Sequence, residues 1–243
     1  MVITLNHLQM ENEVDYLCLG QTVPERSKKY GLRVCTAGID MRTMQLIRIY
    51  PLGVRKDEHF KRWHIYSNLK VRRNPKDNRQ ESWRLGIPIE ELKNVSRSKV
   101  DKTTRSNILK EYVTHLSIEQ LNEERKSLAI IRMNDCFGYF VDHNKKFVNV
   151  RQFCLFPEIE ELNTFGKDSF KHLPRVKWAE SNGKIHDYML NSWDAYMHQI
   201  NIAKLYGKDD LWVRMNLNKD IPKFGFIGNM NHQRNVWLII TIF

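Results

Sequence analysis

The sequence has few cysteines: Cys18, Cys35, Cys136 and Cys154 in 243 residues. None forms a CxxC pair or lies near a spaced pair of histidines. Neither a disulfide scaffold nor a structural zinc site is therefore expected, and the thiols read as buried groups in a reducing cytoplasm. Long apolar runs are also missing. The longest, Val236 to Phe243, is broken by Thr241 and falls far short of the about twenty residues a membrane-spanning helix needs. Met1 to Met10 contains no Lys or Arg, unlike a secretory signal. The nine histidines form no HxH or HExxH, and the chain has no GxxxxGK[ST], GxGxxG or GxSxG. Nucleotide cradles and hydrolase elbows are thus unsupported. His186 and Asp187 are adjacent in a strand-like run, where neighbours point to opposite faces, which argues against a catalytic dyad. We expect no catalytic residues, no metal and no cofactor.

Acidic residues are outnumbered: 28 Asp and Glu face 39 Lys and Arg, a net charge of +11. The apolar fraction of 42% still predicts a packed core rather than disorder. The positive charge is local. Residues 24–84 hold sixteen Lys and Arg against six Asp and Glu, which accounts for nearly all of the surplus. A field of this sign attracts polyanions, and phosphate contacts supply most non-specific affinity for nucleic acid. The same stretch carries Tyr30, Tyr50, Phe60, Trp63, Tyr66 and Trp83, and rings of this kind stack on the bases of single strands. Tyr50 and Trp63 fall in strand-like runs and read as core; Tyr30 and Trp83 sit in polar, loop-like context and read as exposed.

Hydrophobic period and turn residues give the order strands, helix, strands, helix, strands. Val14 to Gly20 reads as a strand. Leu32 to Ile39 and Leu46 to Tyr50 form a hairpin about residues 40–43, with Gly38 marking a bulge or coil and Pro51 a stop. Trp63 to Arg72 is a strand, and 73–84 a charged loop. Residues 103–125 have helical spacing, with Thr103 or Thr104 as cap, and would connect two halves or plug the first. Leu128 to Met133 and Phe137 to Val141 read as strands around Asn134-Asp135. Asn182-Gly183 marks a hairpin between Arg175–Ala179 and Ile185–Leu190. Ser192 opens a helix that Gly207 closes, and Phe224–Ile227 with Val236–Phe243 make a last hairpin. The fold class is therefore mainly β (β-rich α+β), as two small barrels of similar design joined by a helical segment. Their spans are 14–100, 101–126 as connecting helix, and 127–243 with a helix near 192–206.

The stretches CLGQTVPERSKKYGLRVCTAGI, LIRIYPL and VRRNPKDNRQESWRL, with KHLPRVKWAESNGKIHDYMLNSWDAY and FGFIGNMN…VWLIITIF further on, resemble the dual OB-fold domain family of uncharacterised bacterial proteins. NPKDNRQESWR is the most distinctive piece. The resemblance covers about 14–90 and 125–243. It implies two OB-like barrels and nucleic-acid handling, including DNA repair or defence against mobile elements, and no established catalytic residues. Barrels of that type bind oligonucleotides on one face and its loops.

The candidate interface is then Lys28, Lys29, Tyr30, Arg48, Arg62, Lys70, Arg72, Arg73, Lys76, Arg79, Trp83 and Arg84. Lys70 to Arg84 is its sharpest patch: the basic groups would crowd one exposed rim, with Asp77 and Glu81 orienting the arginines as bidentate pairs. Single-stranded or deformed DNA or RNA is the expected partner, in a cytoplasmic protein without membrane attachment. The alternatives are a metal-dependent nuclease or nucleotide-processing enzyme built on those acids, or an adaptor for an acidic protein partner.

Overall fold

The computed structural model describes residues 11–27, 31–53, 59–142, 172–217, 221–231 and 233–243. The first unit contains β1 (Glu11–Gln21), β2 (Glu25–Ser27), β3 (Gly31–Asp40), β4 (Gln45–Gly53), β5 (His64–Arg73), β6 (Ser82–Leu85) and β7 (Arg97–Lys99). Its strands lie in the order β1-β3-β4-β6-β5, and β5 pairs back onto β1, which closes a five-stranded barrel. Closure leaves β2 and β7 as short additions on β3 and β5.

The second unit contains α1 (Lys102–Tyr112), β8 (Val113–Thr114), α2 (Ile118–Glu123), β9 (Leu128–Asp142), β10 (His172–Ala179) and β11 (Ile185–Met189). It continues with α3 (Trp193–Asn201), α4 (Ala203–Tyr206), α5 (Asp210–Arg214), β12 (Lys223–Met230) and β13 (Gln233–Ile242). The order β11-β10-β9-β12-β13 makes a half-barrel, and one parallel bridge, Leu190 to Ile239, brings its two edges together. Both units share one winding. The first principal strand lies between the second and fourth, and the third and fifth meet in parallel. The fold is therefore mainly β, as two OB-like barrels. Helices α3 to α5 fill the connection between the third and fourth strands of the second unit.

Strand alternation explains the cores. On β1, Val14, Tyr16 and Cys18 point into the first barrel with Ile47, Ile49, Tyr66, Leu69 and Val71. Leu17 and Leu19 point the other way. They join Ala37 and Ile39, Leu128 and Ile130 of β9, Phe226, Ile240, and Ile108 and Leu109 of α1 in a cluster shared by both units. Both faces of β1 are thus covered, so its centre reads as a continuous apolar run. The first barrel is plugged by the 3₁₀ turn Ile89–Asn94, whose Leu92 enters the core, while α1 packs between the units.

Several sequence expectations need correction. The helix over 103–125 is two helices. Asp101, not Thr103 or Thr104, caps α1 by accepting from the Thr104 N–H at 3.0 Å. The β-branched pair Val113-Thr114 leaves the helix to pair in parallel with Ile130 and Ile131, and a Ser117–Gln120 capping box starts α2. Asn134-Asp135 is not a turn: β9 runs through it as one strand, with Asp135 at φ 49°. Three residues after Asp135, Gly138 lets the Trp212 ring lie on the backbone, since a Cβ there would fall 2.3 Å from it. Pro51 does not end β4, which reaches Gly53 after a cis Tyr50–Pro51 bond. The loop over 73–84 ends in β6. The last hairpin is tighter than expected, with Met230 paired to Gln233. His186 and Asp187 do diverge. The imidazole stacks on Trp178 at 4.7 Å in the interior, whereas Asp187 accepts from Arg175 at 2.9 Å.

Candidate nucleic-acid interface

The outer face of the first barrel follows from strand register. Arg48 of β4 stands beside Ser82 of β6, and Ile49 beside Trp83. Since Ile47 and Ile49 point inward, Arg48 and Tyr50 point outward. Across β6 and β5, Arg84 faces Arg72 directly. Like charges opposite one another in a sheet are unfavourable, and Glu11, which faces Arg72 from the other side, offsets part of the repulsion. Lys70 and Arg72 are exposed, as is Tyr50 at 37%. The Asn74 side chain ties this face together: its Oδ1 accepts from Arg84 Nε at 3.0 Å and its Nδ2 donates to the Tyr50 carbonyl at 3.2 Å.

At one edge of this face, where the second unit approaches, lies a cleft of about 290 Å³. Arg33, Cys35, Arg48 and Tyr50 line it from β3 and β4. Asn74, Lys76, Asp77 and Arg79 come from the β5–β6 loop, Arg84 from β6, and Asn191 and Asn229 from the second unit. Arg79 is 8% exposed. It makes a bidentate pair with Asp77, whose Oδ1 accepts from Nε at 2.8 Å, and its Nη1 donates to the Asn229 carbonyl at 2.9 Å. Arg48, 5% exposed, donates to the same carbonyl at 2.9 Å and to Ser127 Oγ at 2.7 Å. The two arginines therefore clasp the units together. Burial alone would raise the Asp77 carboxyl, but hydrogen bonds from Arg79 and Ser82 outweigh it and hold the group below its ordinary value. Burial lowers the Arg48 guanidinium and raises the Cys35 thiol. On the far side of the clasp is a wider polar groove of about 790 Å³, which Arg79 also lines.

The structure brings some candidates together and separates others. Lys70, Arg72 and Arg84 share the outer face, and Lys76 lies at the cleft. Arg73 stands at the barrel rim with its guanidinium 4.8 Å from the Trp83 ring centre and donates to the Gln80 carbonyl. Arg48 and Arg79 are not on a solvent rim: both are buried, and apart from Arg48 Nε their guanidinium nitrogens bond internal acceptors. Trp83 is half-buried against the barrel core, since β6 turns it inward. The bidentate pairing expected of Asp77 is present, with Arg79. Arg62 lies elsewhere, bonded to Thr241 Oγ1 at 2.7 Å and 3.3 Å from Asp194. Lys28, Lys29 and Tyr30 lie outside the described residues. Sequence reasoning missed Arg33, Asn74, Asn191 and Asn229, and it placed Tyr50 in the core. The alternation of Ile47, Arg48, Ile49 and Tyr50 was the available signal for Tyr50. Asp77 and Glu81 do not converge on one point: Asp77 holds Arg79, and Glu81 accepts from Ser127. Among the described residues, no three His, Cys, Asp or Glu side chains gather as a metal ion requires, and no helix is long and apolar enough to cross a membrane.

Residues 12–111 match a domain of unknown function, DUF8758. The matched span takes in the closed barrel, β7 and nearly all of α1. No curated protein matches the chain.

Proposed function

We propose that the protein binds single-stranded nucleic acid along the outer face of the first barrel. The observation that carries this reading is the row Tyr50, Arg84, Arg72 and Lys70, which sets an exposed ring beside a surplus of cations on a closed OB-like barrel. Cations follow the phosphates, and the ring covers an unstacked base. The resemblance supports a bacterial, cytoplasmic component of DNA repair or of defence against mobile elements.

The test is fluorescence anisotropy with labelled single-stranded and duplex oligonucleotides over a series of salt concentrations. Removing Arg72 and Arg84 together should flatten the slope of log affinity against log salt by about 0.7 per lost contact with a single strand. An unchanged slope would place binding elsewhere, and no oligonucleotide binding would favour an acidic protein partner. Cleavage of the probe on addition of Mg²⁺ would favour the nuclease reading.

A further inference from the structure

The cleft beside that face has features a generic basic surface does not need. Its volume of about 290 Å³ is at the small end of ligand pockets, which begin at about 300 Å³, so it suits one nucleotide unit rather than a run of them. Five cationic side chains line it against the carboxylates of Glu25 and Asp77, and Asp77 is already paired with Arg79.

Two residues that line it also carry a buried polar atom without a protein partner. Arg48 Nε has no acceptor, and Asn191 Oδ1, on a residue 2% exposed, has no donor. Buried polar groups without partners are costly, and an ordered water or a bound group can satisfy them. One orphan is a cationic donor from the first barrel, and the other is an acceptor from the second unit. A nucleotide carries complementary groups for both: phosphate oxygens accept, and sugar hydroxyls or base amines donate.

The clasp decides how such a group enters. Arg48 and Arg79 converge on the Asn229 carbonyl and separate the cleft from the groove behind it. A strand cannot run on through that wall, whereas a strand end needs no continuation. We infer that the cleft is a subsite for the phosphorylated end of a nucleic-acid strand. A terminal monoester carries more charge than an internal diester, about −1.5 to −2, which matches the surplus of cations. The inference rests on the proposed binding of single strands.

The experiment compares short single-stranded oligonucleotides with a 5′-phosphate, a 3′-phosphate or two hydroxyl ends, by anisotropy at fixed salt. One phosphorylated end should bind roughly tenfold more tightly, about the worth of one charge-assisted hydrogen bond, and phosphatase treatment should remove the advantage. Asn191→Ala and Lys76→Gln, each checked for folding by circular dichroism, should erase this preference while hydroxyl-ended strands still bind. Lys76 is exposed, so its variant keeps the test open if Asn191→Ala fails to fold. Equal affinity for all three ends would overturn the inference and leave the binding reading intact. A nucleoside monophosphate that binds by calorimetry, with no binding of any oligonucleotide, would overturn the binding reading and support the cleft alone. Binding of neither would overturn both.

Discussion

Replacing Arg79 with Ala tests the clasp. The change deletes both side-chain hydrogen bonds to Asp77 and the 2.9 Å bond to the Asn229 carbonyl. Asn229 keeps Arg48 as donor. Asp77 keeps the Ser82 hydroxyl and a backbone N–H, but its carboxylate stays buried without a counter-charge. Breaking a buried pair in this way costs about 3–5 kcal/mol, and at roughly 2–4 °C per kcal/mol for a chain of this size the melting temperature should fall by roughly 6–20 °C at pH 7. Changing both partners, Asp77→Leu with Arg79→Met, should recover much of the loss, because no unpaired charge remains. The pH dependence has a definite sign. The folded-state pKa of Asp77 is below its unfolded value, so the stabilisation is complete above about pH 4 and is lost as pH falls through the folded value. The gap between wild type and Arg79→Ala should therefore narrow in acid. Thermal melts followed by circular dichroism at pH 7 and in acid measure both effects. A loss below about 1 kcal/mol, as expected for an exposed arginine such as Arg72, would refute the buried clasp.

Tyr50→Ala should weaken single-strand binding by about 1–3 kcal/mol with little effect on the salt slope, whereas Trp83→Ala should chiefly lower the melting temperature; the reverse pattern would put the base-stacking ring at Trp83. Gly38→Ala should destabilise the first barrel by about 1–3 kcal/mol or more in urea titrations, because the new Cβ would lie 1.9 Å from the Leu17 carbonyl oxygen; a neutral effect would show that β1 and β3 are not held so closely. Burial pushes Cys18 up to about 12 and Cys136 up to about 11, so at pH 8 iodoacetamide should label both far more slowly in the native than in the unfolded protein. Rapid native labelling, read by mass spectrometry, would contradict their burial.

Period-two patterning and turn chemistry made most strands legible, and Asn182-Gly183 marked its hairpin with Gly183 at φ 84°. The breaks in pattern were harder to read. Leu116 and Leu121 continue the helical spacing of Ile108 and Leu109, so the excursion through Val113-Thr114 is hidden until its partner on β9 is known. Trp83 was misplaced because Ser82 and Arg84 dominate its neighbourhood, although that alternation is what a strand with an inward ring produces. The charge on Arg48 and Arg79 is visible in the sequence, but their burial is not. Their shared acceptor Asn229 lies 181 and 150 residues away, and local context carries no trace of it. The cations of the interface could thus be read from the chain, but the cleft between the two units could not.

The apolar cluster between the units has a consequence for the matched segment itself. Residues 12–111 carry Leu17, Leu19, Ala37 and Ile39 on one outer face, but their covering residues Leu128, Ile130, Phe226 and Ile240 lie beyond it. Excised from this chain, the segment would keep Ile108 and Leu109 of α1 against that face but lose the rest of its cover, exposing apolar surface that isolated soluble domains avoid. The span of sequence similarity thus ends inside an apolar cluster that both units share. The same cluster joins the units whose residues wall the cleft, so the Arg48 and Arg79 bonds to Asn229 do not hold them together alone.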